Sequence, residues 1–578
     1  MATEVADTEV LVVGGGLAGA FAAIKAREAG ADRVMLVTKG KLGKDGASTF
    51  AAGMYAMTVP GDDRDELYKK AALSDDYTAG LFTPEWLEVS LDEEYERALD
   101  MEKWGVEWEK TSDGEFERKF MRSGFGMAGM FHGTQLMAAM ARKVIRSDVK
   151  VVGYTMITDL LTEHGGPASQ AIGAVGFDVR SGEFRMFKAK AIILATGGCS
   201  FKSRLPGSHT LTGEASTIAY RAGAKLGHFA ESDGMYVSPT DCDTQGMNLF
   251  IGLGGHFVNA EGEQFMQEYE PQLGEHASLG TISAAMSMEV RAARGPIYLD
   301  MTHFTTEDVR KLRVTLPLPV MKLERAGIIV GDRIMKKMEY APLFYGIMDE
   351  AGGLIANTKC ETSLPGLYTC GDAMADSRVP PNCLPGASVS GARAGKFAAA
   401  YAKEAKEPKV DEEQVEQLRK STFAPLEREQ GIRPDHVIIG INEVFSQPDV
   451  VIISRGDRLE QAIKDIERVR DEEVPLLHAS VPHYLRMANE AKSIVLIAEM
   501  YLRSRLLRQE SRNQFLREDY PYTDNANWLK WTMLKKEDGK MNLWTEDIPV
   551  DKYKIKPRLE KYLCPLFEVA RRRGVKWG

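Results

Sequence analysis

Apolar and β-branched residues run from Thr8 to Val13 and lead directly into Gly14-Gly15-Gly16-Leu17-Ala18-Gly19. An Ala-rich stretch of helical character continues to Ala29, Gly30 closes it, and Val34 to Val37 reads as a second strand. The chain therefore opens with a β-α-β unit. Asp62 to Lys110 is charged and helix-like, with Trp86, Leu87, Leu91, Tyr95 and Leu99 at helical spacing. Lys150 to Lys188 alternates like strands joined by hairpins, and Ala189 to Leu194 has the continuous apolar character of a buried strand. Gly213 to Ala224 predicts a helix after a glycine turn. From about 242 to 350 the pattern changes to mixed strands, glycine turns and a Lys/Arg-dotted helix, which predicts an inserted domain. Strand-like sequence returns from Gly352 to Gly371, Ala387 to Lys403 is a small-residue helix, and from Asp411 the chain is helical and charged, with a long amphipathic stretch from Val481 to Arg508. The fold class is α/β.

Length and charge narrow the classes of function. A chain of 578 residues holds several domains around one large core. A net charge of −10 excludes a dedicated nucleic-acid binder, which needs a basic face. The longest apolar run, Ser493 to Met500, is far short of the ~20 residues that span a bilayer, so any membrane association has to come through partner subunits. Met1 to Thr8 lacks a charged-then-apolar leader, and the expected location is cytoplasmic. Cysteines 199, 242, 360, 370, 383 and 564 form no Cys-x-x-Cys pair, so reduced thiols are expected, with no metal site and no iron–sulfur cluster held by this chain. The basic end from Val569 to Trp577 reads as a solvated tail, with partner docking as the sharper alternative.

The chemistry-bearing motifs sit at strand ends. Gly14, Gly16 and Gly19 lie between a strand and a helix, where the first permits a tight turn, the second lets a diphosphate approach the backbone and the third lets helix and strand pack closely. The second strand ends in Thr38-Lys39 rather than in an acid, which weakens a nicotinamide reading. Ala195-Thr196-Gly197-Gly198 closes a buried strand, Gly371-Asp372 places an acid after another, and Ala387 to Gly395 begins a helix whose N-terminus can face a flavin carbonyl. Their order predicts a discontinuous, Rossmann-like FAD domain over 1–241 and 352–410, an inserted α+β capping domain over 242–351, a helical domain over 411–535 and an extension over 536–578.

Further segments carry a resemblance. These are Gly46-Ala-Ser-Thr-Phe-Ala-Ala-Gly53, Gly262-Glu-Gln-Phe-Met266, Tyr298-Leu-Asp300, Arg378-Val-Pro-Pro-Asn-Cys-Leu384, Glu510-Ser-Arg512 and Arg517-Glu-Asp-Tyr-Pro521. Over nearly its whole length the chain resembles the flavoprotein subunits of succinate dehydrogenase and fumarate reductase, a superfamily that includes L-aspartate oxidase and the alpha chain of adenylylsulfate reductase. Trp104-Gly105, Lys110 to Gly114 and His132-Gly133 are more similar to the last of these. The resemblance implies FAD contacts from Thr38, Lys39, Ser48, Thr49, Ala195, Thr196, Gly197, Glu214, Asp372, Asn382 and Leu384. It also implies a separate, ferredoxin-like iron–sulfur subunit, and hence a hetero-oligomer.

The departures matter more. Relatives that bind FAD covalently use a histidine where this chain has Ser48, so dissociable FAD is expected. Leu279 stands at the position of the family's proton-delivering arginine, Ser238 at that of a substrate-side histidine, and Thr134 at that of another. Arg378 survives, in the segment that lies over the flavin in relatives. Catalytic candidates are therefore Arg378, His132, Tyr236 and His256, with His209 and Arg204 behind them; Arg512 and Arg517 read as structural. Met54, Met57, Met127 and Met130 read either as ordinary core or as an apolar pocket wall. The expected function is FAD-dependent two-electron oxidation or reduction of a small organic substrate, not fumarate. The alternatives are a fumarate- or adenylylsulfate-type reductase and a non-catalytic electron-transfer flavoprotein.

Overall fold

The computed structural model describes residues 3–51, 53–76, 80–121, 127–166, 168–202, 207–231, 233–235, 237–342, 347–350, 352–375, 383–512 and 515–577. Its centre is a seven-stranded sheet. β1 (Thr3–Val13) pairs in parallel with β2 (Val34–Val37) on one side, and β3 (Lys150–Val152) extends that edge. β4 (Thr155–Thr162) and β5 (Ala171–Asp178) form the expected hairpin, which pairs antiparallel with the first half of β6 (Phe184–Leu194). β6 pairs in parallel with β1 along its whole length, from Phe184 opposite Thr3 to Leu194 opposite Val13, and its last three residues pair in parallel with β7 (Leu367–Thr369). The register aligns the ends of four strands: Val13 lies opposite Val37 and Leu194, and Leu194 opposite Thr369. Chain reversals gathered at the carboxyl ends of parallel strands form a crevice, which positions the site.

α1 (Leu17–Glu28) lies against this sheet with nine of its twelve residues buried, from Leu17 to Ala26. Burial on all sides requires small residues at the contacts. A Cβ on Gly19 would stand 2.0 Å from the Gly14 carbonyl oxygen, so glycine is needed for close backbone approach there. α2 (Glu214–Arg221) packs against β4.

The stretch between β6 and β7 builds a separate four-stranded antiparallel sheet, in the order Ser238–Pro239, Met338–Ala341, Ile297–Asp300, His256–Val258. The ribbon Asp233–Met235 with Ile347–Glu350 joins it to the rest of the molecule. α3 (Leu279–Arg291) runs through this cap and is capped by Ser278. The methionines resolve as core rather than pocket wall. Met54 and Met130 face each other across a small sheet and are buried with Met57, Met127 is exposed, and none of the four lines either of the two cavities described below.

After β7, α4 (Leu384–Glu404) packs along α1, where a Cβ on Gly391 would stand 2.3 Å from the Ala18 carbonyl oxygen and one on Gly395 2.2 Å from that of Ala22. The expected amphipathic stretch is α5 (Pro482–Leu507), but it is not a surface helix: from Leu485 to Arg505 sixteen of its residues are buried, because helices pack on several sides of it. The hairpin Lys530–Glu537/Lys540–Asp547 reaches back to pair with Leu226–Gly227. The basic C-terminus is not a solvated tail. α6 (Pro565–Arg572) packs on α3, and Arg573 donates to both Glu263 (2.7 and 3.0 Å) and the buried Glu289 (2.7 and 3.0 Å). Arg294 grips the same Glu289 at 2.7 Å through two nitrogens.

Burial alone would raise the Glu289 carboxyl, but hydrogen bonds from Arg294, Arg573, Asn259 and Tyr269 overrule it and hold it at about 2. A depressed carboxyl stabilises the fold fully above its unfolded value and loses that contribution as pH falls through the folded one. Glu289→Gln is therefore expected to cost about 3 kcal/mol at pH 7. In urea unfolding the gap from wild type should persist down to pH ~4.5 and close toward pH 2; a gap that is constant with pH would refute the assignment.

Candidate active site

The residues that follow the four aligned strand ends line one cavity of about 400 Å³: Gly14 after β1, Thr38 after β2, Ala195 after β6 and Cys370 after β7. Of the sequence-predicted cofactor residues, Gly14, Gly16, Thr38, Lys39, Ser48, Ala195, Thr196, Gly197, Glu214 and Asp372 line it. Gly19 does not; it packs beneath the turn. Leu384 opens α4 and packs into the core, while Ala387 on the same helix reaches the cavity. Arg378, Asn382, Tyr236 and Arg204 lie outside the described residues.

The cavity fits a dinucleotide on its own features. Gly14 has φ +116°, and a Cβ there would stand 2.1 Å from the Ala195 carbonyl oxygen, so only glycine makes this turn. α1 begins beside it with no acidic residue in its first turn, which leaves the positive end of the helix dipole facing the cavity. The Leu17 N–H donates to the Ser48 hydroxyl at 3.2 Å, which fixes the Ala47–Phe50 turn against that helix end. Thr196 accepts from the Ala215 N–H at 3.0 Å and ties the Ala195–Gly197 turn to α2. Val13, Leu17, Met156, Ile157 and Leu211 add apolar wall.

Lys39 is not a lone cation. Its ammonium bonds Glu214 at 2.7 Å, Thr212 at 2.9 Å and Glu490 of α5 at 2.8 Å. Burial alone would lower it, but the two carboxylates outweigh that and hold it above its usual value. For Glu490, burial pushes up, while Lys39, Lys202 and Arg486 pull down harder, to about 2. His209 lines the cavity too, and burial followed by the charge of Lys202 keeps its imidazole below the usual value. Sequence reasoning missed Lys202, His483, Arg486 and Glu490. The last three come from the helical region, and no local motif marks them.

A second, narrow cleft lies on the other side of the Ala47–Phe50 turn. Ser48 faces the first cavity, whereas Thr49 lines the cleft together with Thr134. The cap supplies the facing wall through Asp243 to Gln245, Thr315 to Pro319 and Lys322. Among the described lining residues Lys322 is the one cation, and its ammonium donates to the Asp243 carbonyl. Leu279 begins α3 as a buried aliphatic side chain, and Ser238 is fully buried with no hydrogen-bond partner for its hydroxyl among the described residues. His132 lines neither space and sits between Glu107 (3.2 Å) and Glu109 (3.3 Å). His256 stacks on His303 with ring centroids 5.2 Å apart. Arg512 pairs with Glu510, and Arg517 binds Asp519 and the carbonyls of Arg505 and Arg508, all structural contacts.

Known proteins agree with this architecture. Residues 9–389 match the FAD binding domain family, and residues 444–562 match the fumarate reductase flavoprotein C-terminal family. One chain of the fumarate reductase (CoM/CoB) of Methanothermobacter marburgensis is 28% identical over 567 residues, covering 93% of this chain and 98% of that one. The fumarate reductase flavoprotein subunit of Mycobacterium tuberculosis (strain H37Rv) is 26% identical, covering 93% and 96%. Among solved structures, E. coli quinol fumarate reductase superposes with a TM-score of 0.81 at 21% identity, covering 96% and 98%. Adenylylsulfate reductase from Archaeoglobus fulgidus gives 0.78 at 20%, covering 94% and 96%.

Lys39→Met removes a shared counter-charge from two buried carboxylates and is expected to destabilise the chain by about 3 kcal/mol in urea unfolding, with Lys39→Arg losing much less because the charge stays. Equal stability of wild type and Lys39→Met would contradict the ion cluster.

Proposed function

From the premise that this chain belongs to the FAD-binding family of fumarate reductase and succinate dehydrogenase flavoprotein subunits, we propose that it is the catalytic subunit of a complex acting on a small organic substrate other than fumarate, with non-covalent FAD and an iron–sulfur partner that exchanges its electrons. Bound FAD supplies a two-electron centre that takes or returns hydride at N5. Asp372 and the start of α4 present hydrogen-bonding and dipolar groups on one wall of the cavity, and Ser48 holds the turn that separates cofactor from cleft. The cap segment Thr315–Pro319 walls the cleft, and its closure over a bound substrate would exclude water.

Leu279 weighs against fumarate: the resemblance puts it at the position of the family's proton-delivering arginine, and it is buried in the core, lining neither cavity. Reduction of a dicarboxylate double bond needs a proton donor opposite the hydride and cations for two carboxylates. An aliphatic side chain supplies neither. The two arginines tied to α3 through Glu289, Arg294 and Arg573, are already paired, by Glu289 and Glu263 together. Thr49, Thr134, Thr244 and Gln245 offer neutral hydrogen-bonding groups, and Phe50, Leu316 and Leu318 an apolar surface. That lining suits a substrate with one anionic or hydroxyl group on an otherwise apolar body. Arg378, as an anion clamp or electrostatic stabiliser, and Tyr236 are carried over from the sequence as catalytic candidates. Plain fumarate reduction is the second reading, favoured by the names of the relatives, and it requires a guanidinium from outside α3.

Two measurements test this. Heat or acid denaturation should release yellow flavin into the filtrate; flavin retained on the polypeptide would contradict the Ser48 reading. The photoreduced holoprotein should be reoxidised by fumarate about 10²–10⁴-fold more slowly than an enzyme with its proton donor in place, while a bleaching screen of hydroxy acids and cyclic alcohols identifies the substrate. Rapid reoxidation by fumarate would establish the second reading.

A further inference from the structure

Arg486 and His483 stand in the first two turns of α5 and line the cofactor cavity, although α5 belongs to a region of the chain far from the glycine turn. One turn further along, fully buried Glu490 pairs with Lys39 at 2.8 Å, Lys202 at 2.5 Å and Arg486 at 3.6 Å. Lys39 is shared with Glu214. Three cations thus meet two carboxylates, which leaves one positive charge in excess within this cluster, while Asp45, Asp372 and Arg180 also stand on the cavity wall. His209 on the same wall adds none near neutral pH, since its imidazole is held below its usual value. Arg486 is the least engaged of the three cations: its contact with Glu490 is the longest, and its side chain keeps 22% exposure. A guanidinium in that state can form paired hydrogen bonds with phosphate oxygens. The anionic part of the dinucleotide is its diphosphate.

We propose that Arg486 is a ligand of the FAD diphosphate, presented by the helical region and aligned by Glu490. The proposal rests on FAD occupying this cavity. It makes cofactor binding and docking of the helical region mutually reinforcing, since whatever strengthens one strengthens the other. It also gives the Glu490 cluster a purpose beyond packing: Glu490 restrains Lys39 and Lys202 while leaving Arg486 able to turn toward the ligand.

The test titrates the full-length chain, stripped of flavin, with FAD by fluorescence quenching, and then with ADP as competitor, because ADP carries the diphosphate but not the flavin. Arg486→Met should weaken FAD and ADP by the same factor, roughly tenfold to a hundredfold, with circular dichroism unchanged. Arg486→Lys should lose less for both ligands, because the charge stays and the fork geometry goes. Unchanged affinities in Arg486→Met overturn the proposal, as does a loss for FAD that spares ADP, which would place the contact on the flavin half. Should Arg486→Met not fold, Arg486→Lys decides: a matched weakening supports the proposal and unchanged affinity overturns it. Failure of the wild-type chain to bind FAD would instead overturn the cofactor assignment itself.

Discussion

Close backbone contact around α1 is the constraint on which the site depends. Four strands end in register, and the turn after β1 runs so near β6 that a Cβ on Gly14 would stand 2.1 Å from the Ala195 carbonyl oxygen. Gly19 lets α1 sit against that turn, and Gly391 and Gly395 let α4 sit against α1. Any side chain at these points pushes the helix N-terminus away from the cavity, and the dipole and N–H groups that favour an anion go with it. The rest of the molecule is arranged around this tightly packed centre.

Two buried carboxylates join distant parts of the chain to it. Glu490 brings α5 onto the cofactor cavity through Lys39, Lys202 and Arg486. Glu289 ties the cap to the C-terminus through Arg294 and Arg573. A buried charge is tolerable only when its partners are all in place, so each cluster registers whether its two regions are correctly docked. The cap that covers the cleft is thus strapped at the end of α3 remote from Leu279.

Much of this is legible in the amino-acid order, and physics explains which parts. The Gly14–Gly19 turn, the Ala195–Gly197 turn and Asp372 are local motifs at strand ends, and the sheet register converts that local position into shared space. Glu214 and Lys39 read in sequence as separate cofactor contacts, yet they bond each other, because pairing across 175 residues leaves no periodic trace. The same holds for Arg486 and for Arg573, whose basic run resembles any solvated tail until Glu289 is seen beneath it. His132 stands beside a family substrate position in sequence, but Glu107 and Glu109 occupy both its nitrogens outside the cavities. Helical spacing also cannot separate a surface amphipathic helix from one packed by other helices on several sides, as α5 is.

The most direct test of the account is a structure of the flavin-loaded chain. The account predicts the diphosphate seated against Gly16 and Leu17, an isoalloxazine at the Ala47–Phe50 turn with no bond to Ser48, and Leu279 with no guanidinium from α3 in its place. A dinucleotide lying away from the four strand ends, or flavin joined to the polypeptide at that turn, would contradict it.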